Sequence, residues 1–229
     1  KCVDVAYENA ALNGIDRAIA CARRTWGDEQ LIDLAPFIQK AAVPAALLAG
    51  CGSEKAAAFQ MAFCAPYVKA EAVETYGETV KADLPELTVE GTEPLFTAMT
   101  MGDSEADPMT AMAGMTKFSA MVAAGELDVV VSDPDNAARN ARGESFLDVS
   151  SFLTEEELDR YAERLLSFDM VDDEGNPTGE KTAVCGIDVS DNETLSALAG
   201  GGECGVFVVA NTSHLEGSSA LVRYLLENS

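Results

Sequence analysis

Residues Thr116 to Asp148 read TKFSAMVAAGELDVVVSDPDNAARNARGESFLD, and this stretch decides the fold of the chain. It begins with an alanine- and methionine-rich helix that ends at Gly125, after which residues 128–131 form a short apolar strand. Residues 132–136 make a polar turn that opens the next helix, with Asp or Ser as its N-cap. A β-branched strand between two helices is typical of a buried strand in a parallel α/β sheet.

The alternation of strands and helices continues on both sides of this stretch. It predicts an α/β fold: one three-layer lobe over residues 58–229, with a mostly parallel mixed sheet and helices on both faces. A helical segment over residues 1–57 precedes the lobe. Strands are predicted at 59–64, 87–90, 128–131 and 206–210, with a hairpin over 167–189, and helices at 68–81, 109–124, 136–142, 154–166, 191–200 and 215–226.

Polar residues follow two of the predicted strands at the edge where such sheets bind ligands. In open α/β sheets ligands lie beyond the carboxyl ends of the strands. A second interpretation is that Asp135 only caps the helix that follows. The candidate ligand-binding residues are Pro66, Tyr67, Ser132, Asp133, Asp135 and Asn136.

The charge of the chain limits its partners. Its 229 residues carry a formal net charge of −24, which repels nucleic acid and anionic membrane surfaces. Six cysteines without C-x-x-C spacing and a single histidine do not match a structural zinc site, so no metal or cofactor is expected. Cys185 and Cys204 could form a disulfide, but buried free thiols are the more ordinary state.

Residues 41–51, AAVPAALLAGC, follow Lys40 and precede a polar tether. They resemble a bacterial lipoprotein signal: a basic residue, a short apolar core and a Leu-Ala-Gly-Cys lipobox. The apolar core is too short for a membrane span, which needs about 20 residues. The resemblance implies lipid attachment to Cys51, with residues 1–50 absent from the mature protein or a mispredicted extension. The alternative is an alanine-rich helix ended by Gly50 and Gly52.

Several segments after residue 57 are similar to the first lobe of an extracytoplasmic solute-binding protein with the type II periplasmic-binding fold. KADLPELTVE at 81–90 occupies the place of that family's "YPDIKVE"-like second strand, and MVAAGELDVVV at 121–131 is similar to its "ALAAGDAPDVV"-like passage. Residues 143–153 look like its "LLPLDDYL"-like segment, and 207–211 with 220–226 echo its closing strand and helix. The resemblance implies an extracytoplasmic binding protein with a lipid anchor.

The chain departs from that family in length. The family has two lobes that close on the ligand, whereas residues 58–229 suffice for one lobe. Between residues 181 and 206, where the second lobe would be inserted, there are only a short helix and a glycine turn. A lone lobe leaves a ligand half exposed, although good pockets bury most of a ligand's surface. A role facing another protein therefore competes with solute capture.

These features predict a non-catalytic, lipid-anchored, extracytoplasmic binding module for a solute or a protein partner. Its one contact with the membrane would be through Cys51, and it would bind no nucleic acid. The alternative is a soluble, cytoplasmic protein-interaction domain whose N-terminal helices pack on the lobe, with no solute bound. A third hypothesis is a hydrolase with His214 as the base and Cys185 or Cys204 as the nucleophile, although nothing in the sequence places them together.

Three other motifs are given ordinary structural roles. GGGECG at 200–205 fits G-x-G-x-x-G, but it precedes a strand, whereas a dinucleotide fingerprint must open a helix. Met109, Met112 and Met115 are spaced like core residues of a helix, so core packing is favoured over a soft-metal site for them and for Met99, Met101 and Met121. The acidic residues at 103–107 and 172–176 lack EF-hand spacing and are interpreted as solvated turns.

Overall fold

The computed structural model of the chain describes residues 58–102, 106–172 and 174–228. The predicted N-terminal segment, residues 1–57, lies outside the described residues, and so does its lipobox with Cys51. The described residues form an α/β fold with a mixed six-stranded sheet and a separate two-stranded hairpin. None of the helices in these three ranges is both long and apolar enough to cross a bilayer.

The main sheet and the hairpin contain eight described strands, which are connected by six described α-helices and three short 3-10 helices. The strands are β1 (Gln60–Ala65), β2 (Leu95–Thr100), β3 (Val129–Ser132), β4 (Leu165–Leu166), β5 (Asp169–Val171), β6 (Pro177–Lys181), β7 (Gly186–Asp188) and β8 (Gly205–Val208). The α-helices are α1 (Ala70–Asp83), α2 (Pro108–Ala124), α3 (Pro134–Arg142), α4 (Glu155–Arg160), α5 (Glu193–Leu198) and α6 (Leu215–Glu227), and short 3-10 helices cover Pro85–Leu87, Val149–Ser151 and Ala162–Arg164.

The strand order in the main sheet is β2-β1-β3-β8-β7-β4. Strand β1 pairs in parallel with β2 and with β3, whereas the pairs β3–β8, β8–β7 and β7–β4 are antiparallel. The expectation of a mostly parallel sheet therefore describes only the half built on β1. The connection from β7 to β8 leaves the carboxyl end of β7 and enters β8 beside it. The two strands therefore run in opposite directions.

The predicted position of the second strand, residues 87–90, is wrong. Residues 87–90 were expected to form it, but Pro85–Leu87 is a 3-10 helix, and Val89 makes only a single bridge to Thr92. The chain turns immediately afterwards, because Glu90 and Gly91 have φ angles of 47° and 80°. The true second strand is β2, inside the segment that the sequence presented as a polar loop.

The region after residue 150 also differs from expectation. The capping box at Thr154 is confirmed, since its side chain accepts from the Glu157 backbone and Glu157 reaches back to Thr154. However, α4 ends at Arg160 instead of continuing to residue 166. The hairpin is formed by β5 and β6. Strand β7, expected within the hairpin, joins the main sheet instead.

Strand β1 lies at the centre of the hydrophobic core, and all six of its residues are buried. Successive side chains of a strand point to opposite faces, and alternate residues of β1 accordingly belong to two different hydrophobic clusters. Val73 and Val80 of α1 and Leu221 and Leu225 of α6 belong to the first cluster with Met61 and Phe63. The second cluster contains Ala62, Cys64, Phe118 of α2 and Ala137 of α3.

The prediction of core packing holds for only part of the methionine group. It is confirmed for Met99 and Met101, which are 2% and 1% exposed. It is wrong for Met109, Met112 and Met115. Their exposed fractions are 77%, 67% and 37%. Helix α2 instead packs through its buried residues Ala111, Gly114 and Phe118, which lie on another face of the helix. Three-residue spacing gives the same periodicity on either face, so the pattern could not tell the buried face from the exposed one.

Candidate functional site

The loops predicted to bind a ligand meet at one edge of the sheet. Cys64 in β1 is in register with Ser132 in β3, so the residues following these strands are neighbours. The Asp133 backbone N–H donates to the Cys64 carbonyl at 3.3 Å. Pro66 and Tyr67 therefore lie near the turn at 132–136. We call this the carboxyl edge, and Tyr67 is 66% exposed there.

Asp133, and not Asp135, caps helix α3. Its Oδ1 accepts from the backbone N–H groups of Asp135 and Asn136, both at 3.1 Å. Asp133 has extended backbone, with φ −64° and ψ 159°, and Pro134 occupies the first helical position. Extended backbone followed by proline is the normal geometry of an N-cap. The interpretation of Asp135 as the cap is therefore wrong, and the cap lies two residues earlier, at Asp133.

This cap divides the predicted ligand-binding residues into two groups. The second oxygen of Asp133, Oδ2, accepts from the Asn136 side-chain amide at 2.7 Å, so these two residues satisfy each other. The buried Ser132 hydroxyl donates to the Asp133 carbonyl at 3.2 Å. Pro66, Tyr67 and Asp135 remain exposed at the carboxyl edge. They are the members of the predicted set that a partner can reach.

A small crevice opens beside Ser132 and Pro134. Its volume is about 50 Å³, whereas ligand pockets measure about 300–1,000 Å³ and one water takes about 30 Å³. The carboxyl edge therefore offers this chain no enclosed solute pocket at the crevice. Sequence reasoning missed the residues contributed by the antiparallel half of the sheet: Leu166, Phe168, Asp188, Ser190, Glu203, Cys204, Gly205 and Phe207.

One signal for this missed group was present in the sequence. Asp188 Oδ1 accepts from both the backbone N–H and the hydroxyl of Ser190, at 2.8 and 2.5 Å. An aspartate that bonds the residue two positions later forms an Asx turn. The Asp-x-Ser pattern at 188–190 thus marked a chain reversal at the carboxyl edge. It did not reveal which strand would lie alongside.

The glycine turn before β8 completes the edge. Gly200 and Gly201 have φ angles of 98° and 86°, a backbone region that favours glycine. A Cβ placed on Gly200 would lie 3.6 Å from the Ala65 Cβ, so the turn sits next to the end of β1. The turn leads into β8 and opens no helix, in agreement with its rejection as a dinucleotide fingerprint.

The described cysteines are unreactive in this fold. Cys64, Cys185 and Cys204 are free and buried, which confirms the preference for thiols over a disulfide. Burial, together with the nearby carboxylates of Asp188 and Asp191, raises the pKa of Cys204 to about 12. Burial likewise raises the pKa values of Cys64 and Cys185. All three stay protonated near neutral pH, and a thiol is a far weaker nucleophile than a thiolate.

A second polar cluster lies at the opposite end of β3, and the sequence did not predict it. The Asp128 carboxylate is 2% exposed. Its Oδ2 accepts from the Gln60 backbone N–H at 2.8 Å, and its Oδ1 accepts from the Thr212 hydroxyl at 2.5 Å. The same Oδ1 lies 3.0 Å from His214 Nδ1. Asp128 therefore ties the first strand, the central strand and the segment before α6 together.

The geometry argues against a His214 hydrolase that uses Cys204. Residue 204 precedes β8 at the end that pairs with Ser132, whereas Asp128 and His214 lie at the other end of β3. Cys185 precedes β7, two strands away from β3 in the sheet. General-base catalysis needs the base within hydrogen-bond reach of the nucleophile. His214 instead contacts the Phe59 ring, with the centroids 6.1 Å apart.

No protein family, curated protein or solved structure matches this chain. Within the described ranges, no group of three or more His, Cys, Asp and Glu side chains could hold a metal ion. Function is therefore inferred from the arrangement of the carboxyl edge and from the sequence.

Proposed function

We propose that this chain is a non-catalytic, extracytoplasmic binding module that resembles one lobe of a bacterial solute-binding lipoprotein. The observation that carries the proposal is the meeting of three loops at the carboxyl edge. The loops after β1 and β3 and the glycine turn before β8 all lie there. Ligands of open α/β sheets bind at this edge, and Tyr67 and Asp135 are exposed on it.

The order of the strands supports the kinship. β1, β2 and β3 are joined through helices α1 and α2 and pair in parallel, as the first half of such a lobe requires. The closing strand β8 lies beside β3, and α6 follows it. The two hydrophobic clusters that share β1 support a three-layer arrangement, in which α1 and α6 cover one face of the sheet and α2 and α3 the other.

The size of the crevice bears on the kind of ligand. A volume of about 50 Å³ cannot enclose an ordinary solute. At the carboxyl edge this favours a protein partner, or a solute shared with a second protein, over a solute enclosed by this chain alone. The exposed carboxylates of Asp135 and Glu203 lie at the carboxyl edge or its crevice, so a neutral or cationic partner fits better than an anionic one.

A thermal-shift screen of the full chain tests the binding proposal. A bound solute must raise the melting temperature by mass action, and we expect hits only among neutral and cationic compounds. The variant Tyr67→Ala should reduce the shift, whereas Leu215→Ala, at an exposed residue on another element, should not. A shift that Tyr67→Ala leaves unchanged would move the site away from the carboxyl edge.

The second candidate function is a soluble, cytoplasmic protein-interaction domain whose N-terminal helices pack on the lobe, with no solute bound. The absence of a solute-sized volume at the crevice favours it. Fatty-acid labelling in a bacterial host separates the two candidates. The proposed lipoprotein incorporates label that is lost in Cys51→Ser, whereas an unlabelled wild-type chain in the soluble fraction supports the interaction domain.

A further inference from the structure

The outer edge of the sheet carries an apolar surface that the proposed function does not use. Strand β2 is an edge strand, and no other described strand pairs with its outer side. Helix α2 lies against it, and a groove of about 500 Å³ runs between them. Small residues line much of the groove and long ones flank it: Ala98, Thr100, Met109, Ala113, Gly114 and Lys117.

The outward backbone groups of β2 pair with no strand among the residues that the structure describes. The Leu95 and Met101 N–H groups donate to the Phe59 and Ala65 carbonyls on the β1 side. Hydrogen bonding alternates along a parallel strand, so residues 96, 98 and 100 direct their N–H and C=O groups outwards. An edge strand with such a row of groups is a template for pairing with another chain.

Helix α2 is chemically unlike the rest of the surface. Its 17 residues, PMTAMAGMTKFSAMVAA, include one charged residue, Lys117, in a chain with 39 acidic residues. Met109 and Met112 are 77% and 67% exposed. The solvent face of a surface helix is normally polar and charged, and an exposed apolar patch marks an interaction surface.

We propose that β2 and α2 form a two-fold interface with a second copy of this chain. A two-fold interface apposes one patch to itself, so the patch must be self-complementary. This patch holds both the protruding Met109 and Met112 side chains and a groove lined by Ala98, Ala113 and Gly114 that can receive them. Antiparallel pairing of the two β2 strands satisfies the outward backbone groups of both copies.

Charge explains why copies would meet at this face. Two chains of net charge −24 repel each other wherever their acidic surfaces approach. The solvent face of α2 and the whole of β2, LFTAMT, contain no acidic residue. Like-charged copies can thus approach here without apposing carboxylates at the centre of the contact.

The area of the patch is sufficient for a weak dimer. A 17-residue helix is about 25 Å long and about 10 Å wide, and a six-residue strand adds an edge about 20 Å long. Together they give roughly 500 Å² per copy, or about 1,000 Å² in total, which is the lower limit for a specific interface. The dimer should therefore form only at high protein concentration.

Sedimentation equilibrium of the full chain tests the interface. We expect the mean mass to rise from monomer to dimer between roughly 1 µM and 1 mM, as a small interface implies. Raising the salt concentration should strengthen the dimer, because salt screens the repulsion between two acidic bodies. A chain that remains monomeric throughout this range overturns the proposal, and so does a dimer that salt dissociates.

Matched variants locate the contact. Met112→Glu places a like charge in the patch, and Ala98→Pro removes an outward N–H from the edge strand, where proline is tolerated. Either should shift dimerisation to at least tenfold higher concentration. Leu215→Glu adds the same charge at a 39% exposed apolar residue elsewhere and should leave the dimer intact. Circular dichroism of each variant verifies folding, and a dimer that survives Met112→Glu or Ala98→Pro overturns the proposal.

Discussion

Two aspartates flank the central strand β3, and their side chains differ in the range of their hydrogen bonds along the chain. The side chain of Asp133, after the strand, accepts hydrogen bonds from Asp135 and Asn136, within three residues along the chain. Asp128, before the strand, bonds to residues that are 68, 84 and 86 positions away. One residue type thus has two roles: Asp133 caps a helix at one end of β3, and Asp128 joins distant segments at the other end.

The comparison teaches which polar residues a sequence can explain. A cap is defined by its immediate neighbours, here a proline and the start of a helix, so the turn at 132–136 was recognised as a helix start. A buried carboxylate whose three partners come from two distant segments has no local signature. Its removal also leaves those donors without partners in the core, which makes it the more costly residue to lose.

The largest effect is expected from Asp128→Ala. It leaves the Gln60 N–H and the Thr212 hydroxyl without their acceptor, and we expect a loss of about 3 kcal/mol in the free energy of unfolding. Urea denaturation measures it. Asp128→Asn retains an acceptor oxygen of the same shape and should lose less. Equal losses for Asp128→Ala and Asp133→Ala would remove the distinction between the two aspartates.

Asp133→Ala should have the next largest effect. It removes the acceptor for two backbone N–H groups of α3, which costs about 1 kcal/mol at a typical N-cap. Asp133→Ser keeps a capping oxygen and should recover most of the stability. Asp135→Ala should cost less than Asp133→Ala in the same urea experiment. The reverse order would restore Asp135 as the cap.

The sequence predicted the parts of the fold that depend on local signals. The buried strands β1 and β3, helices α1, α2 and α6 and the capping box at Thr154 all carry such signals and were placed within a few residues. Strand β2 was missed because strand propensity depends on the neighbouring strand, and its partner residues in β1 lie 35 positions earlier in the chain. The alternating residues at 87–90 carried a stronger strand pattern but had no strand to pair with.

The candidate site, like the fold, was predictable only where its residues follow strands with local sequence signals. The loops after β1 and β3 were identified because both follow strands that the sequence revealed. The residues that β7 and β8 bring to the same edge, including Asp188 and Glu203, depend on an antiparallel return that no local pattern encodes. The Asp128 cluster was missed for the same reason, since Thr212 and His214 reach it only through the tertiary fold.

A third carboxylate, Glu157, combines the local bonding of Asp133 with the long-range bonding of Asp128. Its loss should have a smaller effect on stability, and that effect should depend on pH. It completes the capping box with Thr154 and also accepts from Arg223 Nε and Nη2 in α6. The hydrogen bonds from Arg223 are the main reason that its pKa falls from 4.5 to about 2. A lowered pKa stabilises the fold above the unfolded value and ceases to do so as the pH falls through the folded value.

We therefore expect Glu157→Gln to lose less than about 1 kcal/mol at pH 7, since the pair is partly exposed. The difference from wild type should shrink as the pH falls from 4.5 towards 2. Urea denaturation at pH 7, 5 and 3 measures it, and Glu156→Gln, at an exposed neighbour, is the control. A difference that does not change with pH would assign the effect of Glu157 to packing.

The smallest effect is expected from Tyr67→Ala. Tyr67 is 66% exposed at the carboxyl edge, and substitutions at such sites usually change stability by no more than about 0.5 kcal/mol. Thermal denaturation measures this change. A loss of more than 1 kcal/mol would show that Tyr67 belongs to the core network, like Asp128, and would weaken its assignment to a binding surface.

The partners of Asp128 also determine when the lobe can fold during synthesis. β3 gains its second neighbour only from β8, and Asp128 gains Thr212 and His214 only after that. Contacts between such distant residues form slowly, because a long loop must close first. A ribosome must therefore release the chain beyond residue 214 before the central strand is fully covered, and until then the apolar strands β1 and β3 remain partly exposed. We therefore expect partly synthesised chains to be prone to aggregation until β8 has emerged.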